Sequence, residues 1–138
     1  MASYYPVFLD LKGMMCVVLG GGGIAEGKIK GLIEHDCHIN VISPDSTKAI
    51  RKWANQGKIT WQQRPYRKGD LQGAFVAIAA TNVMEVNHAI AKEAESKRVL
   101  LNVVDQPRLC TFIAPSVVKK GQVTFAISTG GASPALAR

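Results

Sequence analysis

Short apolar runs alternate with segments of helical periodicity along most of the chain. Uninterrupted runs rich in β-branched residues are typical of strands buried on both faces of a parallel sheet. Between them, apolar residues recur every three or four positions, which indicates helices. The pattern predicts strands over 14–19, 37–42, 58–62, 75–80 and 99–104. Because strands and helices alternate, we expect an α/β fold with helices on both faces of a doubly wound parallel sheet.

Two of the predicted helices have candidate N-caps directly before them. Asp45 or Ser46 follows the second strand, and Thr81-Asn82 follows the fourth. Short polar side chains of this kind accept hydrogen bonds from the free N–H groups of a first helical turn. We therefore expect helices to begin at these positions.

The pattern changes after Asp105. Two apolar stretches, 112–115 and 123–127, flank Lys119-Lys120-Gly121, which predicts a β-hairpin that turns at the lysines. The apolar side chains in the alternating pattern of this hairpin must be buried against another surface, so we expect the hairpin to face another subunit.

The end of the chain begins a further element. Ser133 suits a helix N-cap and Pro134 suits the first helical turn, yet the chain stops there. We expect two parts: a sheet domain over 1–105, and over 106–138 a hairpin and dimerisation element leading into a truncated helical region.

Composition excludes several classes of protein. The 138 residues are 47% hydrophobic and 20% charged, so the chain is not wholly disordered. No apolar run approaches the ~20 residues of a membrane span, and the N-terminus does not resemble a signal peptide. Cys16, Cys37 and Cys110 are odd in number and lack C-x-x-C spacing, which argues against disulfides and a zinc–thiolate site. We expect a cytoplasmic protein with no membrane partner.

The charge is basic, with 17 Lys and Arg residues against 10 Asp and Glu residues and a net charge of +7. Such a balance favours nucleic acid, acidic lipid, or a small molecule rich in carboxylate or phosphate. No basic run is interleaved with aromatic residues, so we do not expect a nucleic-acid partner.

A glycine-rich loop joins the first strand to the first helix. Gly20, Gly22 and Ala25 form the motif G-x-G-x-x-A. The first glycine makes the tight turn, the second admits a pyrophosphate to the backbone, and the alanine permits close packing of helix on strand. The helix N-terminus then offers free N–H groups to the anion. The motif predicts a Rossmann dinucleotide site, with a ligand-free glycine turn as the alternative.

The cofactor class depends on the end of the second strand. The dinucleotide fingerprint expects an acidic residue there to bind the ribose hydroxyls. Asp45, in Ser43-Pro44-Asp45, is the carboxylate at that place, and no pair of arginines follows it to bind a 2′-phosphate. The sequence favours NAD over NADP.

Asp105 follows the fifth predicted strand and should emerge at the same sheet edge as the glycine loop. A carboxylate there can act as a general base, although an aspartate that only caps the bend before Pro107 is the alternative. Ser128 and Thr129, with the glycines that follow, predict either an anion-binding turn or an ordinary loop. The run His35-Asp36-Cys37-His38 lies at the opposite sheet edge, so we assign no metal site to it.

Motifs along nearly the whole chain closely resemble the siroheme synthase N-terminal family. Its members are NAD-dependent precorrin-2 dehydrogenases, some of which are also sirohydrochlorin ferrochelatases. The motifs that carry the resemblance are 6–11, 17–28, Ala79-Ala80-Thr81-Asn82, Asn102-Val103-Val104-Asp105-Gln106-Pro107, 112–116 and 128–138. One departure is Gly27, where the family usually has arginine.

The resemblance implies a function and a set of site residues. It implies oxidation of precorrin-2, a polycarboxylate tetrapyrrole, by a homodimer. The NAD contacts that it implies are Gly23, Ile24, Pro44 and Asp45. We also expect Thr81, after the fourth strand, to bind the cofactor. It gives Asp105 a role in dehydrogenation, and in chelation where that activity exists, and it places Ser128 and Thr129 near the tetrapyrrole. A ferrochelatase and a non-enzymatic NAD-sensing module remain the alternatives.

Overall fold

A computed structural model describes residues 3–130, which form one parallel sheet, its covering helices and a separate hairpin. The strands of the sheet are β1 (Met15–Leu19), β2 (His38–Ile42), β3 (Thr60–Gln62), β4 (Val76–Ala79) and β5 (Leu100–Val103). The helices are α1 (Gly23–Ile33), α2 (Lys48–Asn55) and α3 (Met84–Lys97), and Pro107–Leu109 form a 3-10 turn. The hairpin strands are β6 (Ser116–Lys120) and β7 (Val123–Ile127). Ser133 and Pro134, the expected start of a further helix, lie outside the described residues.

The sheet has the strand order β3-β2-β1-β4-β5, and all its pairings are parallel. The chain moves outward from β1 to β3, returns to pair β4 with β1, and then continues to β5. The order therefore reverses between β1 and β4, and ligands of such sheets bind at the carboxyl ends of the strands at this point. The predicted Rossmann-like fold, with its C-terminal hairpin, is confirmed.

The central strands are buried on both faces, as their uninterrupted apolar sequences predict. On β1, Cys16 and Val18 pack into a cluster with α1 and α2, whereas Val17 and Leu19 pack into a second cluster with α3. Successive side chains of a strand point to opposite faces of the sheet. Because helices cover both faces here, residues 16–19 of the central strand are all buried and apolar. These layers fix the strand ends that carry the loops of the site.

The helices α2 and α3 begin later than the sequence predicts. The N-cap of α2 is Thr47, whose Oγ1 accepts a hydrogen bond from the Ile50 N–H at 3.3 Å. Asp45 and Ser46 do not cap it, because the residues after β2 form a turn against the glycine loop before the helix starts. The N-cap of α3 is Val83, without a side-chain hydrogen bond, rather than Thr81-Asn82.

The hairpin also differs from its predicted register. Its turn is Gly121 and Gln122, closed by the pair Lys120–Val123, so Lys119 and Lys120 belong to β6. Gly121 has φ +62°, the left-handed conformation that tight hairpin turns need. The first strand is Ser116–Lys120 rather than 112–115, since the residues before it are held against β5.

The backbone groups on the outer edge of β5 form hydrogen bonds with residues 110 and 111 instead of with another strand. The Leu101 N–H donates to Thr111 Oγ1 at 2.7 Å, and the Thr111 N–H donates to the Leu101 carbonyl at 2.8 Å. The Val103 N–H donates to Cys110 Sγ at 3.2 Å. The outward backbone groups of this edge strand are therefore satisfied by the segment that follows it.

Glu93 on α3 holds the crossover between β3 and β4 against the helix. It is 4% exposed, forms an ion pair with Lys97 at 2.7 Å, and accepts hydrogen bonds from Tyr66 Oη at 2.5 Å and from two backbone amides. Those amides belong to Gly69 and Leu71, each at 3.0 Å. Burial would raise the pKa of Glu93, but these donors outweigh it and lower the pKa to about 2.

Protonation of Glu93 is expected to destabilise the fold. Because its folded pKa lies below the unfolded value of 4.5, its contribution is complete above about pH 4.5 and is lost as the pH falls toward 2. We expect Glu93→Gln to reduce the free energy of unfolding at pH 7 by about 3 kcal/mol. Urea unfolding at pH 7 and pH 3 measures both effects. Glu95→Gln, on the exposed side of the same helix, is the control and should change neither value; equal losses for both variants would contradict the assignment.

No helix within residues 3–130 combines the length and the apolar character that crossing a membrane requires.

Candidate functional site

The glycine loop is shaped by close backbone contacts that exclude side chains. Gly20 has φ +132°, and a Cβ there would lie 2.4 Å from the Ala80 carbonyl oxygen. Its N–H donates to the Ile42 carbonyl at 3.0 Å. This glycine therefore lets the chain turn between the ends of β2 and β4, as the first glycine of the motif predicts.

Gly21 has an equally strict requirement that the sequence motif does not reveal. A Cβ there would lie 2.0 Å from the Asp45 carbonyl oxygen and 2.6 Å from Ser43 Oγ. The Gly21 carbonyl accepts a hydrogen bond from the Thr47 N–H at 3.0 Å. This residue joins the glycine loop to the turn after β2, and the motif leaves its position unspecified.

Gly22 and Gly23 are open where Gly20 and Gly21 are crowded. A Cβ at either position would meet no atom within 4 Å. Gly22 is the N-cap of α1 and supplies no side-chain hydrogen bond, so the N–H groups of the first turn have no acceptor from a cap. Ile24 is exposed and Ala25 is buried against the sheet. The loop therefore presents free backbone donors on an unobstructed surface, which suits a pyrophosphate.

Pro44 and Asp45 lie beside this loop, as the sequence predicts. A cleft of about 340 Å³ is lined by Gly21, Gly22 and residues 43–47. The Asp45 carbonyl accepts a hydrogen bond from Ser43 Oγ at 2.6 Å, which fixes the turn, while the Asp45 side chain is exposed. The geometry therefore places the Asp45 carboxylate next to the glycine loop, and its contact with a ribose stays a prediction.

A cation also lies next to this cleft. Arg51 Nε donates to Ser46 Oγ at 3.1 Å, and the guanidinium lies 5.7 Å from the ring centre of Trp61. Trp61 Nε1 in turn donates to the Ser43 carbonyl at 3.1 Å. Sequence reasoning missed Arg51 because it is six residues beyond Asp45. Only the first turn of α2 brings its side chain back to Ser46.

Thr81 follows β4, on the other side of the point where the strand order reverses. Its hydroxyl donates to Asn87 Oδ1 at 2.7 Å, and Asn87 Nδ2 donates to the Thr81 carbonyl at 3.2 Å. Asn87 is buried and holds the loop by both contacts. It was not predicted as a site residue, although an asparagine three positions before Ile90 and seven before Ala94, on the apolar face of the helix, is the signal that could have found it.

Asp105 occupies a turn at the end of β5. It has φ +61°, and the Gln106 N–H donates to the Val103 carbonyl at 3.1 Å. Leu19, Ala79 and Val103 align across the sheet, so the glycine loop and the Asp105 turn leave the same edge, from strands β1 and β5 that are two strand spacings, or about 10 Å, apart. The Asp105 side chain is exposed.

Ser128 and Thr129 lie beyond β7, outside the five-stranded sheet. Ser128 Oγ accepts a hydrogen bond from the Gly130 N–H at 3.0 Å. Gly130 lies near the N-terminal segment, since a Cβ there would be 3.8 Å from the ring of Tyr4. The assignment of Ser128 and Thr129 to a substrate site stays a prediction.

The polar run before β2 forms no metal site among the described residues. Over 3–130, no group of three or more His, Cys, Asp and Glu side chains is arranged to bind a metal ion. Cys37 instead donates from its thiol to the Leu32 carbonyl at 3.3 Å, at the amino end of the sheet.

The fold and the open glycine loop define a nucleotide-binding protein, and comparison with known families agrees. Residues 7–116 match a family described as "Putative NAD(P)-binding". The chain belongs to this NAD(P)-binding family.

Individual relatives are more specific. The chain is 40% identical over 136 residues to a siroheme synthase of Nitrosococcus oceani and 43% identical over 137 residues to that of Nitrosomonas europaea. Each match covers 99% of this chain and 29% of the relative, so the chain spans less than a third of these proteins. A solved structure, "SirC, precorrin-2 dehydrogenase", has a TM-score of 0.88 and 31% identity, covering 97% of this chain and 66% of that one. The resemblance found in the motifs is confirmed.

Proposed function

We propose that this chain catalyses the NAD-dependent oxidation of precorrin-2 to sirohydrochlorin in siroheme synthesis. The observation that carries the proposal is the placement of Asp105 at the same sheet edge as the open surface of Gly22 and Gly23. A cofactor cradle and a carboxylate that follow strands only two strand spacings apart suit removal of a hydride and a proton from one substrate. The similar precorrin-2 dehydrogenase and the siroheme synthases support this choice of substrate.

The residues present fit a dinucleotide. The free backbone donors at the start of α1, from Gly22 to Ala25, would bind the pyrophosphate, and Asp45 would bind the ribose hydroxyls. Gly20 would keep the loop in place, and Thr81 would line the far side of the crevice. When bound, NAD supplies the acceptor for the hydride. The Asp45 carboxylate would repel a 2′-phosphate, which favours NAD over NADP.

Asp105 is the general base of this proposal. Its carboxylate is exposed at the sheet edge and accepts the proton that leaves the tetrapyrrole as the hydride departs. The net charge of +7 favours the approach of a substrate rich in carboxylates. Ser128 and Thr129 are the proposed contacts to that substrate.

The hairpin supports a homodimer. Val118 and Phe125 pair across β6 and β7 and are 51% and 53% exposed. A two-stranded ribbon with uncovered apolar side chains is marginally stable on its own. We therefore infer a homodimer, in which residues 1–105 form the NAD-binding domain and residues 106–138 the dimerisation element. Its cytoplasmic location is proposed from the sequence alone. Sedimentation equilibrium measures the mass, and a monomer at all concentrations would contradict this part.

The function is tested by titrating NAD and NADP into the chain by calorimetry and then adding precorrin-2 without oxygen. We expect tighter binding of NAD than of NADP, and the appearance of sirohydrochlorin absorbance only when NAD is present. Binding of NAD without any binding of the tetrapyrrole would favour a sensing module instead. Metal insertion into sirohydrochlorin without NAD binding would favour a chelatase and overturn the proposal.

A further inference from the structure

Cys110 contacts both ends of the turn that carries Asp105. Its Sγ accepts the Val103 N–H at 3.2 Å and lies 3.3 Å from the Val103 carbonyl oxygen and 3.3 Å from the Gln106 carbonyl oxygen. Val103 is the first residue of the turn, Asp105 the third and Gln106 the fourth. One sulfur atom therefore spans the segment whose conformation decides where the Asp105 carboxylate lies.

The turn needs such a restraint. Asp105 has φ +61°, and a side chain in the left-handed region costs about 1 kcal/mol relative to ordinary backbone. Within the turn, the Gln106 N–H donates to the Val103 carbonyl at 3.1 Å. A conformation of this kind persists only where its surroundings hold it.

Cys110 is itself held firmly in place. The Leu109 N–H donates to the Gln106 carbonyl at 3.0 Å, and the Cys110 N–H donates to the Pro107 carbonyl at 3.1 Å, which closes the 3-10 turn. Thr111, the next residue, is bonded to Leu101 on the edge of β5. Burial raises the pKa of the Cys110 thiol, so at neutral pH the group keeps a proton to donate to a carbonyl.

We propose that Cys110 is a positioning residue, whose thiol fixes the Val103–Gln106 turn so that the Asp105 carboxylate faces the substrate. The inference rests on the proposed function, because it assigns Cys110 a role through the proposed base. Cys110 touches no reacting atom in this scheme. Its removal should therefore impair the chemical step and leave the nucleotide site, on the far side of β4, unchanged.

The test compares Cys110→Ala and Cys110→Ser with Cys37→Ala. Cys37 is the matched control, since its thiol also donates to a backbone carbonyl at 3.3 Å but lies at the opposite sheet edge. Cys110→Ala should lower kcat for precorrin-2 about ten-fold or more, with the Kd for NAD unchanged. Cys110→Ser retains a donor and an acceptor and should recover most of the loss, and Cys37→Ala should match the wild type.

A kcat for Cys110→Ala within two-fold of the wild type would overturn the proposal, as would an equal loss for Cys37→Ala. A parallel loss of NAD affinity in both Cys110 variants would show a general structural role and overturn it too. Amide hydrogen exchange gives a readout independent of activity: the Gln106 amide should exchange about ten-fold faster in Cys110→Ala. If the wild type shows no turnover, the proposed function fails, and exchange alone decides the role of Cys110, with an unchanged rate counting against it.

Discussion

Replacing Asp105 by asparagine is expected to lower the turnover of precorrin-2 by about 10²- to 10⁴-fold, because an amide cannot accept the departing proton. Asparagine is the suitable replacement since it tolerates the left-handed conformation that position 105 adopts, φ +61°. The turn should keep its shape, so the loss would report the carboxylate alone. The affinity for NAD should not change, because β4 lies between the strand that carries Asp105 and the strand that carries the glycine loop.

The chain offers a matched control for this substitution. Asp36 is also an exposed aspartate with a left-handed backbone, φ +55°, but it precedes β2 at the amino edge of the sheet. Asp36→Asn should leave both turnover and NAD affinity at wild-type values. Sirohydrochlorin absorbance and calorimetry measure the two quantities. Equal loss of turnover and affinity in Asp105→Asn would mean that Asp105 is structural, and unchanged turnover would remove its catalytic role.

Gly21→Ala is expected to weaken NAD binding by at least about 100-fold and to destabilise the fold by about 1–3 kcal/mol. The added Cβ would lie 2.0 Å from the Asp45 carbonyl oxygen, so the glycine loop and the turn after β2 must separate. The same movement would break the hydrogen bond from the Thr47 N–H to the Gly21 carbonyl. Both walls of the nucleotide cleft would shift together, so NAD binding should be lost along with stability.

Gly27→Ala is the control for the glycine series. Gly27 lies within α1, and a Cβ there would meet no atom within 4 Å. Alanine in a helix interior should raise the free energy of unfolding by about 0.5–1 kcal/mol and leave NAD affinity intact. Thermal unfolding and calorimetry test both variants. Full NAD affinity in Gly21→Ala would show that the two loops can separate without cost, and would contradict the described geometry.

The sheet and the nucleotide loop could be predicted because their signals are local. Buried strands leave uninterrupted apolar runs, and Gly20, Gly22 and Ala25 stand at fixed spacing between a strand and a helix. Their roles depend on backbone conformation and helix packing that almost any chain of this fold must satisfy. The placement of Asp105 at the same edge followed from the shared direction of parallel strands, without knowledge of side-chain contacts.

Features that depend on contacts between distant segments were not predictable. Gly21 is required by the turn after β2, and a motif that leaves its position unspecified cannot show this. Thr47 rather than Asp45 caps α2, because the hydrogen bond from the Thr47 N–H to the Gly21 carbonyl holds the preceding turn against the glycine loop. The stretch 112–115 has strand-like residues but is held against β5, so the hairpin begins at Ser116. In each case a contact with a residue distant in sequence determined which of two conformations, both compatible with the local sequence, the chain adopts.

The side-chain pairing along the outer edge of β5 limits how two copies of this chain can associate. The Leu101 and Val103 amides are already bonded to Thr111 and Cys110, so no further strand can add to the sheet on that side. A dimer in which the sheets of two copies join at this edge is therefore excluded. The proposed dimer would instead depend on side-chain packing by exposed residues of the hairpin, such as Val118 and Phe125, and not on backbone bonding along this edge.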